Sequence, residues 1–146
     1  MIENLRVELV PFKSKAYEET LHLRQEILRT PLGLMLSEEE CSKEIKDLHV
    51  AGFIEEKLIA CLVLSPYNEK TIKMRQVAVS FGLQGQGVGK KMVVEAEKLC
   101  KERNFDKIIL NARDVVVPFY QQLGYTNVSE IFIEVGIPHV KMEKKL

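Results

Sequence analysis

The sequence has no tryptophan, only 3 cysteines, and no excess of either charge, with 21 acidic and 21 basic residues among 146. The last two of these shortages each bear on a class of protein. Cys41, Cys61 and Cys100 are odd in number, widely spaced and without a Cys-x-x-Cys pair. That pattern fits reduced thiols in the cytoplasm better than a disulfide framework or a cysteine-built zinc site, and no metal is expected. A formal net charge of zero argues against a nucleic-acid partner, which requires a basic surplus or stripe to neutralise phosphates. No run of 18 apolar residues occurs, and no basic-then-apolar leader opens the chain. Neither a membrane partner nor a secretion signal is therefore expected. What remains is the composition of one globular domain over residues 1–146, 46% hydrophobic and 29% charged, long enough to bury a single core.

The most informative stretch runs from Val77 to Lys91. A β-branched strand around Val77, Ala78 and Val79 gives way to Gln84-Gly85-Gln86-Gly87-Val88-Gly89-Lys90, and an amphipathic helix begins there. Glycines strip side chains from the turn, and the free amides and positive dipole end of the helix face the same space, which makes an anion cradle. A P-loop would need Gly where Gln84 stands, and Ser or Thr where Lys91 stands. A dinucleotide fingerprint starting at Gly85 would need Gly where Lys90 stands. The spacing that fits is Gln84-x-x-Gly87-x-Gly89. A ligand-free glycine-rich connector has the same local composition, and the rest of the chain has to separate the two.

Hydrophobic periodicity gives the order of elements. Strands are expected over Leu5–Val10, Leu48–Glu55, Lys57–Leu64 and Thr71–Val79, the last three as an antiparallel meander. Helices are expected over Ala16–Leu28 and from Ser37 to Lys46. A longer helix follows the glycine loop to Asn104, with Val88, Met92, Val93, Ala96, Leu99 and Cys100 on its apolar face. Lys107–Leu110 reads as a buried strand parallel to the one before that helix. Asp114 is the expected cap of a short helix ending at Gly124, and Thr126–Glu134 and His139–Met142 read as two closing strands. The basic end, Lys141 to Lys145, reads as a solvated edge and tail. The fold class is α/β (mixed α+β), in the order β-α-α-β-β-β-α-β-α-β-β.

Three segments carry a family resemblance. The pattern Gln84, Gly87, Gly89 resembles the acyl-CoA pyrophosphate loop of the GNAT superfamily of N-acyltransferases. Asn111-Ala112-Arg113 through Phe119-Tyr120 to Gly124-Tyr125 is similar to that family's late segment. The ending Glu134-Val135-Gly136-Ile137-Pro138-His139 resembles the Gly-Ile-Pro-His ending of a subset of its small bacterial members. The element order agrees over essentially the whole chain. The resemblance implies a central mixed, mostly antiparallel sheet with helices on both faces. It also implies acetyl-CoA as cosubstrate and direct acetyl transfer to a primary amine, a small molecule being favoured as acceptor. A peptide or protein N-acetyltransferase and a non-catalytic acyl-CoA-binding or regulatory domain are the other readings. Relatives often dimerise, so a homodimer is compatible with it, although no interface is legible.

The same resemblance assigns roles. Main-chain groups of Val77, Ala78 and Val79 would meet the pantetheine arm, and the amides of Gln84 to Lys90 the diphosphate, with Lys90 and Lys91 either adding attraction or simply solvated. Asn111 would touch pantetheine or substrate. Tyr120 would contact the cofactor and serve as general acid to the departing thiolate. A base is also required, because an amine of pKa about 10.4 is only about one part in 10³ neutral at pH 7. Glu134 and His139 are the candidates, an ordinary imidazole being better matched to the task than an ordinary carboxyl. Arg24 and Arg29 flank the region that shapes the acceptor site, one of them as a bidentate ligand for a substrate carboxylate or both in ordinary ion pairs with Glu18, Glu19 or Glu26. Arg75 and Gln76 would line the acceptor pocket.

Overall fold

The protein is described here by a computed structural model covering residues 4–146. Leu5–Val10 forms β1, buried at its two ends. The Ser14 hydroxyl accepts the Tyr17 N–H at 3.1 Å and caps α1, Lys15–Arg24. The regular helix stops short of Leu28. The coil widens into a π-helix over Gln25–Arg29, then tightens into a 3-10 turn, Thr30–Leu32, closed by Gly33 at φ 70°. Pro31 has no N–H to extend an α-helical ladder, and the Gln25 side chain supplies other bonds, to Thr30 Oγ1, the Leu34 carbonyl and the Leu36 N–H. Ser37 caps α2, Glu38–Ser42, which runs into a 3-10 turn over Lys43–Lys46.

The meander follows as β2 (Leu48–Ile54), β3 (Lys57–Pro66) and β4 (Thr71–Val79), antiparallel throughout. The glycine turn leads into α3, Val88–Glu102, which buries Val88, Met92, Val93, Ala96 and Cys100; Leu99 is only half-buried. β5, Lys107–Arg113, outruns the apolar stretch and pairs parallel with β4. A 3-10 turn over Asp114–Val116 precedes α4, Val117–Gln122. Asp114 therefore does not cap α4: the intervening turn moves the helix start to Val116, which offers no side-chain acceptor.

The strand expected over Thr126–Glu134 is broken into β6 (Thr126–Asn127) and β7 (Phe132–Glu134). Between them, Ser129 Oγ takes the Lys141 N–H at 2.9 Å in place of a ladder carbonyl. β8, Ile137–Lys145, is longer than expected and lies between β5 and β6, so the basic end is an internal strand rather than a tail. Its Val140 and Met142 face the core, and Lys144 Nζ is held by Glu97 of α3 at 3.1 Å. The sheet order is β1-β2-β3-β4-β5-β8-β6, with β7 also on β8. Every pair is antiparallel except β4–β5, which gives a mixed sheet with helices on both faces.

Two irregularities in β4 shape the centre of the molecule. β4 and β5 are bridged only from Thr71–Lys73 to Lys107–Ile109. Beyond that β4 stays with β3 and β5 with β8, so the sheet opens as a wedge between Met74–Val79 and Leu110–Arg113. In addition, Cys61 faces Ala78 while Val63 faces Arg75, so Leu62 opposes two residues, Gln76 and Val77, and Gln76 is left-handed at φ 56°. Such a bulge reverses the alternation of side chains. Ile72, Met74, Val77 and Val79 thus all join the core under α3, while Arg75 and Gln76 both turn to the face of Arg24 and Glu44, as the contacts of Arg75 with Glu44 and of Gln76 with Arg24 record.

Candidate active site

The turn from β4 into α3 is a row of unused donors. Gly82, Gly85 and Gly87 take φ of 87°, 78° and 86°, values that L side chains adopt only under strain. The Gln84 side chain donates to the Val79 carbonyl at 3.0 Å, and that of Gln86 to the Gly82 carbonyl at 2.9 Å. Both glutamines thus hold the turn from within. Leu83 N–H is taken by the Ser80 carbonyl at 3.1 Å, and the next amide to find a main-chain acceptor is Lys91 N–H, on Gly87 O at 3.1 Å. The N–H groups of Gln84, Gly85, Gln86, Gly87, Val88, Gly89 and Lys90 have no acceptor among the described residues. No acidic residue occupies the first turn of α3, so nothing there opposes an incoming anion. Lys90 is exposed beside this turn, whereas the Lys91 ammonium is committed to the Leu5 carbonyl at 2.8 Å.

α4 closes against the same end of α3. The Phe119 ring lies 3.5 Å from where a side chain at Gly89 would begin, and Tyr120 packs edge-on to Phe119 and to Tyr125. Tyr120 belongs to the cluster that also contains Val88, Ala112 and Val140, which puts it on the α3 face of the sheet. Burial pushes its phenol up to about 12. The only wholly enclosed side-chain polar atom without a partner among the described residues is His49 Nδ1. The Tyr120 hydroxyl, which has no side-chain partner either, therefore keeps an opening to the outside.

The opposite face carries the other polar groups. Ile108, Leu110 and Ala112 of β5 point into the α3-side core, so Asn111 and Arg113 point the other way. Asn111 Nδ2 approaches Glu134 Oε1 at 3.5 Å, and Glu134 Oε2 lies 3.6 Å from His139 Nε2. His139 Nδ1 sits 2.7 Å from the Ile137 carbonyl. A carbonyl only accepts, so Nδ1 carries the hydrogen and the neutral ring presents its lone pair at Nε2, toward Glu134. Phe132 stacks on the His139 ring. Three strands thus bring Asn111, Glu134 and His139 together on one face, with Tyr120 on the other.

A family description, acetyltransferase (GNAT) domain, matches residues 19–146. The chain belongs to the GNAT acetyltransferase family. Among curated proteins, Escherichia coli ElaA is 29% identical over 101 residues, which are 67% of this chain and 66% of that protein. Bacillus subtilis YjcF, described as an uncharacterized N-acetyltransferase, is 27% identical over 131 residues, 87% of this chain and 91% of that one. The chain spans about half to two thirds of the length of the first curated relatives it matches. The crystal structure of ElaA superposes with a TM-score of 0.81 at 21% identity, over 96% of this chain and 99% of that one. A GNAT family acetyltransferase from Elizabethkingia anophelis with acetyl-CoA bound superposes at 0.78 and 17% identity, over 99% of each.

On this GNAT frame Arg24 is not available to a substrate carboxylate. Its guanidinium is 1% exposed and its fork is closed on Glu44, at 2.8 and 2.7 Å. The Tyr17 hydroxyl donates to the same carboxylate at 3.0 Å. Desolvation alone would raise the Glu44 carboxyl, but the bonds and charge of Arg24 outweigh it and the net shift is downward. The expectation of an ion pair with Glu18, Glu19 or Glu26 also fails, because the Arg24 fork is taken by Glu44, which reaches it from the 3-10 turn over Lys43–Lys46. The remaining donor, Arg24 Nε, lies 3.4 Å from Gln76 Oε1 at the bulge. Arg75 is shared among Ser65 Oγ at 3.1 Å, Asp47 at 3.5 Å and Glu44 at 3.6 Å. It borders a cleft of about 410 Å³ together with Glu40, Lys43 and Asp47.

Glu44 was not legible as part of this region. It follows the exposed run Glu38-Glu39-Glu40 and nothing in its spacing marks it as the one that is buried. The bulge at Gln76 was equally silent, since Gln is an ordinary strand-surface residue.

Proposed function

We propose that the protein moves an acetyl group from acetyl-CoA to a primary amine by direct attack on the thioester. The observation that carries this reading is the row of acceptor-free amides from Gln84 to Lys90 at the N-terminus of a 15-residue helix. Phosphate oxygens are acceptors and carry negative charge, so a diphosphate fits that row. Each hydrogen bond to a charged group is worth about 1.5–3 kcal/mol, and a few of them are enough to anchor CoA. The thioester supplies an activated acyl group. The wedge between β4 and β5 offers the pantetheine arm an unpaired strand edge at Val77, whereas the main-chain groups of Ala78 are turned to Cys61 of β3. Val79 has only its remaining groups to give, because its carbonyl is held by Gln84.

The residues on the two faces divide the proton work. On one face His139 Nε2 takes the proton from the amine, and Glu134 at 3.6 Å compensates the charge the ring acquires. Asn111 fixes Glu134. On the other face Tyr120 donates a hydrogen bond to the departing sulfur. With its phenol at about 12 and an ordinary thiol near 8.5, complete transfer is uphill by about 3–4 pKa units. Tyr120 therefore acts through a hydrogen bond that shortens as charge develops, and the proton follows late. Arg24 and Glu44 act at one remove, by holding Gln76 and the bulge.

The reaction is tested by thiol release from acetyl-CoA in the presence of primary amines, followed against pH. As a base must be unprotonated, activity is expected to fall on the acid side. That ionisation is expected to disappear in His139→Ala, with activity lowered at least tenfold, and to persist in Glu134→Gln. An unchanged acid limb in His139→Ala moves the base to Glu134, and an unchanged limb in both variants removes the pair. Three free cysteines and a cosubstrate of central metabolism support a cytoplasmic setting. Among the described residues no helix is long and apolar enough to cross a membrane, and no group of three His, Cys, Asp or Glu side chains is arranged to hold a metal.

A further inference from the structure

Arg113 is the unexplained charge beside this site. Four other arginines have acidic partners: Arg6 with Glu8, Arg24 with Glu44, Arg29 with Glu40 and Arg75 with Asp47. Arg103 is exposed. Arg113 is only partly exposed, yet has neither an ion pair nor a side-chain hydrogen bond among the described residues. It is the last residue of β5, where the wedge is widest, and it stands directly across from His139 in the β5–β8 register. Residues so paired project side by side from the sheet. It shares the face of Asn111, two residues back. Asp114, next to it in the chain, makes no ion pair with it, and Glu134 is turned instead to Asn111 and His139.

The Arg113 guanidinium has free donors, and its planar fork matches a carboxylate in two hydrogen bonds. We infer that Arg113 binds the carboxylate of the acceptor, so that the amine acetylated here belongs to the amino-acid class. The inference rests on the acetyl-transfer reading above. A CoA phosphate could also satisfy the fork. The amide row proposed for the diphosphate, however, lies by α3 beside Tyr120, whereas Arg113 shares its face with His139, the proposed proton acceptor. An amine delivered to His139 and a carboxylate held by its cross-strand neighbour lie within one short molecule, with the nucleophile aimed into the wedge.

The test uses matched probes: L-lysine, L-phenylalanine and L-methionine, each against its carboxamide and its decarboxylated amine, with thiol release as readout. The free acids are expected to exceed their amides about 10- to 100-fold in kcat/KM, the range of a charge-assisted bidentate contact. Arg113→Met is expected to erase that preference while leaving the KM for acetyl-CoA within twofold, and Arg113→Lys to restore part of it. Binding of the N-acetyl amino acids to CoA-loaded protein is measured in parallel, so that a weak catalyst still reports the carboxylate preference. Three results overturn the inference: no preference for acids in either assay, an equal loss for acids and amides in Arg113→Met, or a rise confined to the KM for acetyl-CoA, which would give the fork to a phosphate. Failure of CoA itself to bind is a separate result that removes the acetyl-transfer reading, and this inference with it.

Discussion

Glu44→Ala is expected to cost about 3–5 kcal/mol of folding stability, the range for leaving one member of a buried ion pair without its partner. The substitution strands the Arg24 guanidinium, 1% exposed, and removes the acceptor of the Tyr17 hydroxyl. Denaturant unfolding measures it, with a fall in the midpoint at unchanged slope. Arg24→Met combined with Glu44→Leu is expected to recover at least half of the loss, because the pair's desolvation cost vanishes with both charges. A loss under about 1 kcal/mol for Glu44→Ala would mean that the pair is open to water. The acid side carries the sign of the same interaction. The Glu44 carboxyl is held below its ordinary value, so its contribution is complete above the ordinary carboxylate range and fades as pH falls through the depressed value. Wild type is therefore expected to outlast Glu44→Gln in acid titration, and the two are expected to converge once Glu44 is protonated.

Tyr120→Phe is expected to lower kcat about 10²-fold with little change in the KM for acetyl-CoA. The phenyl ring keeps the packing against Phe119 and Tyr125, so stability is expected to hold within about 0.5 kcal/mol and the loss to be one of hydrogen-bond donation. Burial holds the phenol at about 12. Its ionisation therefore contributes no alkaline limb to the wild-type rate below about pH 11. Wild-type turnover in Tyr120→Phe would leave that side chain as packing alone.

The sequence was most legible where local chemistry and the final fold agree. Glycines at positive φ, a helix with Val88, Met92, Val93 and Ala96 on one side, and Ser37 three residues before Glu40 each have one dominant physical reading. Asn111, Glu134 and His139 could be nominated but not assembled, since their contact depends on β7 folding back onto β8 at a break that Ser129 creates. Arg24 was nominated for the wrong partner because ion pairing is decided by which segment packs over it. The 3-10 turn bearing Glu44 arrives from twenty residues away in sequence. The bulge at Gln76 escaped for a different reason: one extra residue on β4 leaves no compositional trace, yet it turns Arg75 and Gln76 to the same face. Arg113 lies inside a segment that carries the family resemblance, and only the absence of a partner for this partly exposed arginine singles it out.

The central claim is that the amides from Gln84 to Lys90 hold the diphosphate of CoA, and backbone NMR during a CoA titration tests it most directly. Saturable shifts in those seven amides, with slowed hydrogen exchange, are expected in wild type and not in Gly87→Glu, whose carboxylate would occupy the turn and whose side chain opposes φ 86°. CoA binding that leaves these amides unmoved, or that survives unchanged in Gly87→Glu, would contradict the account.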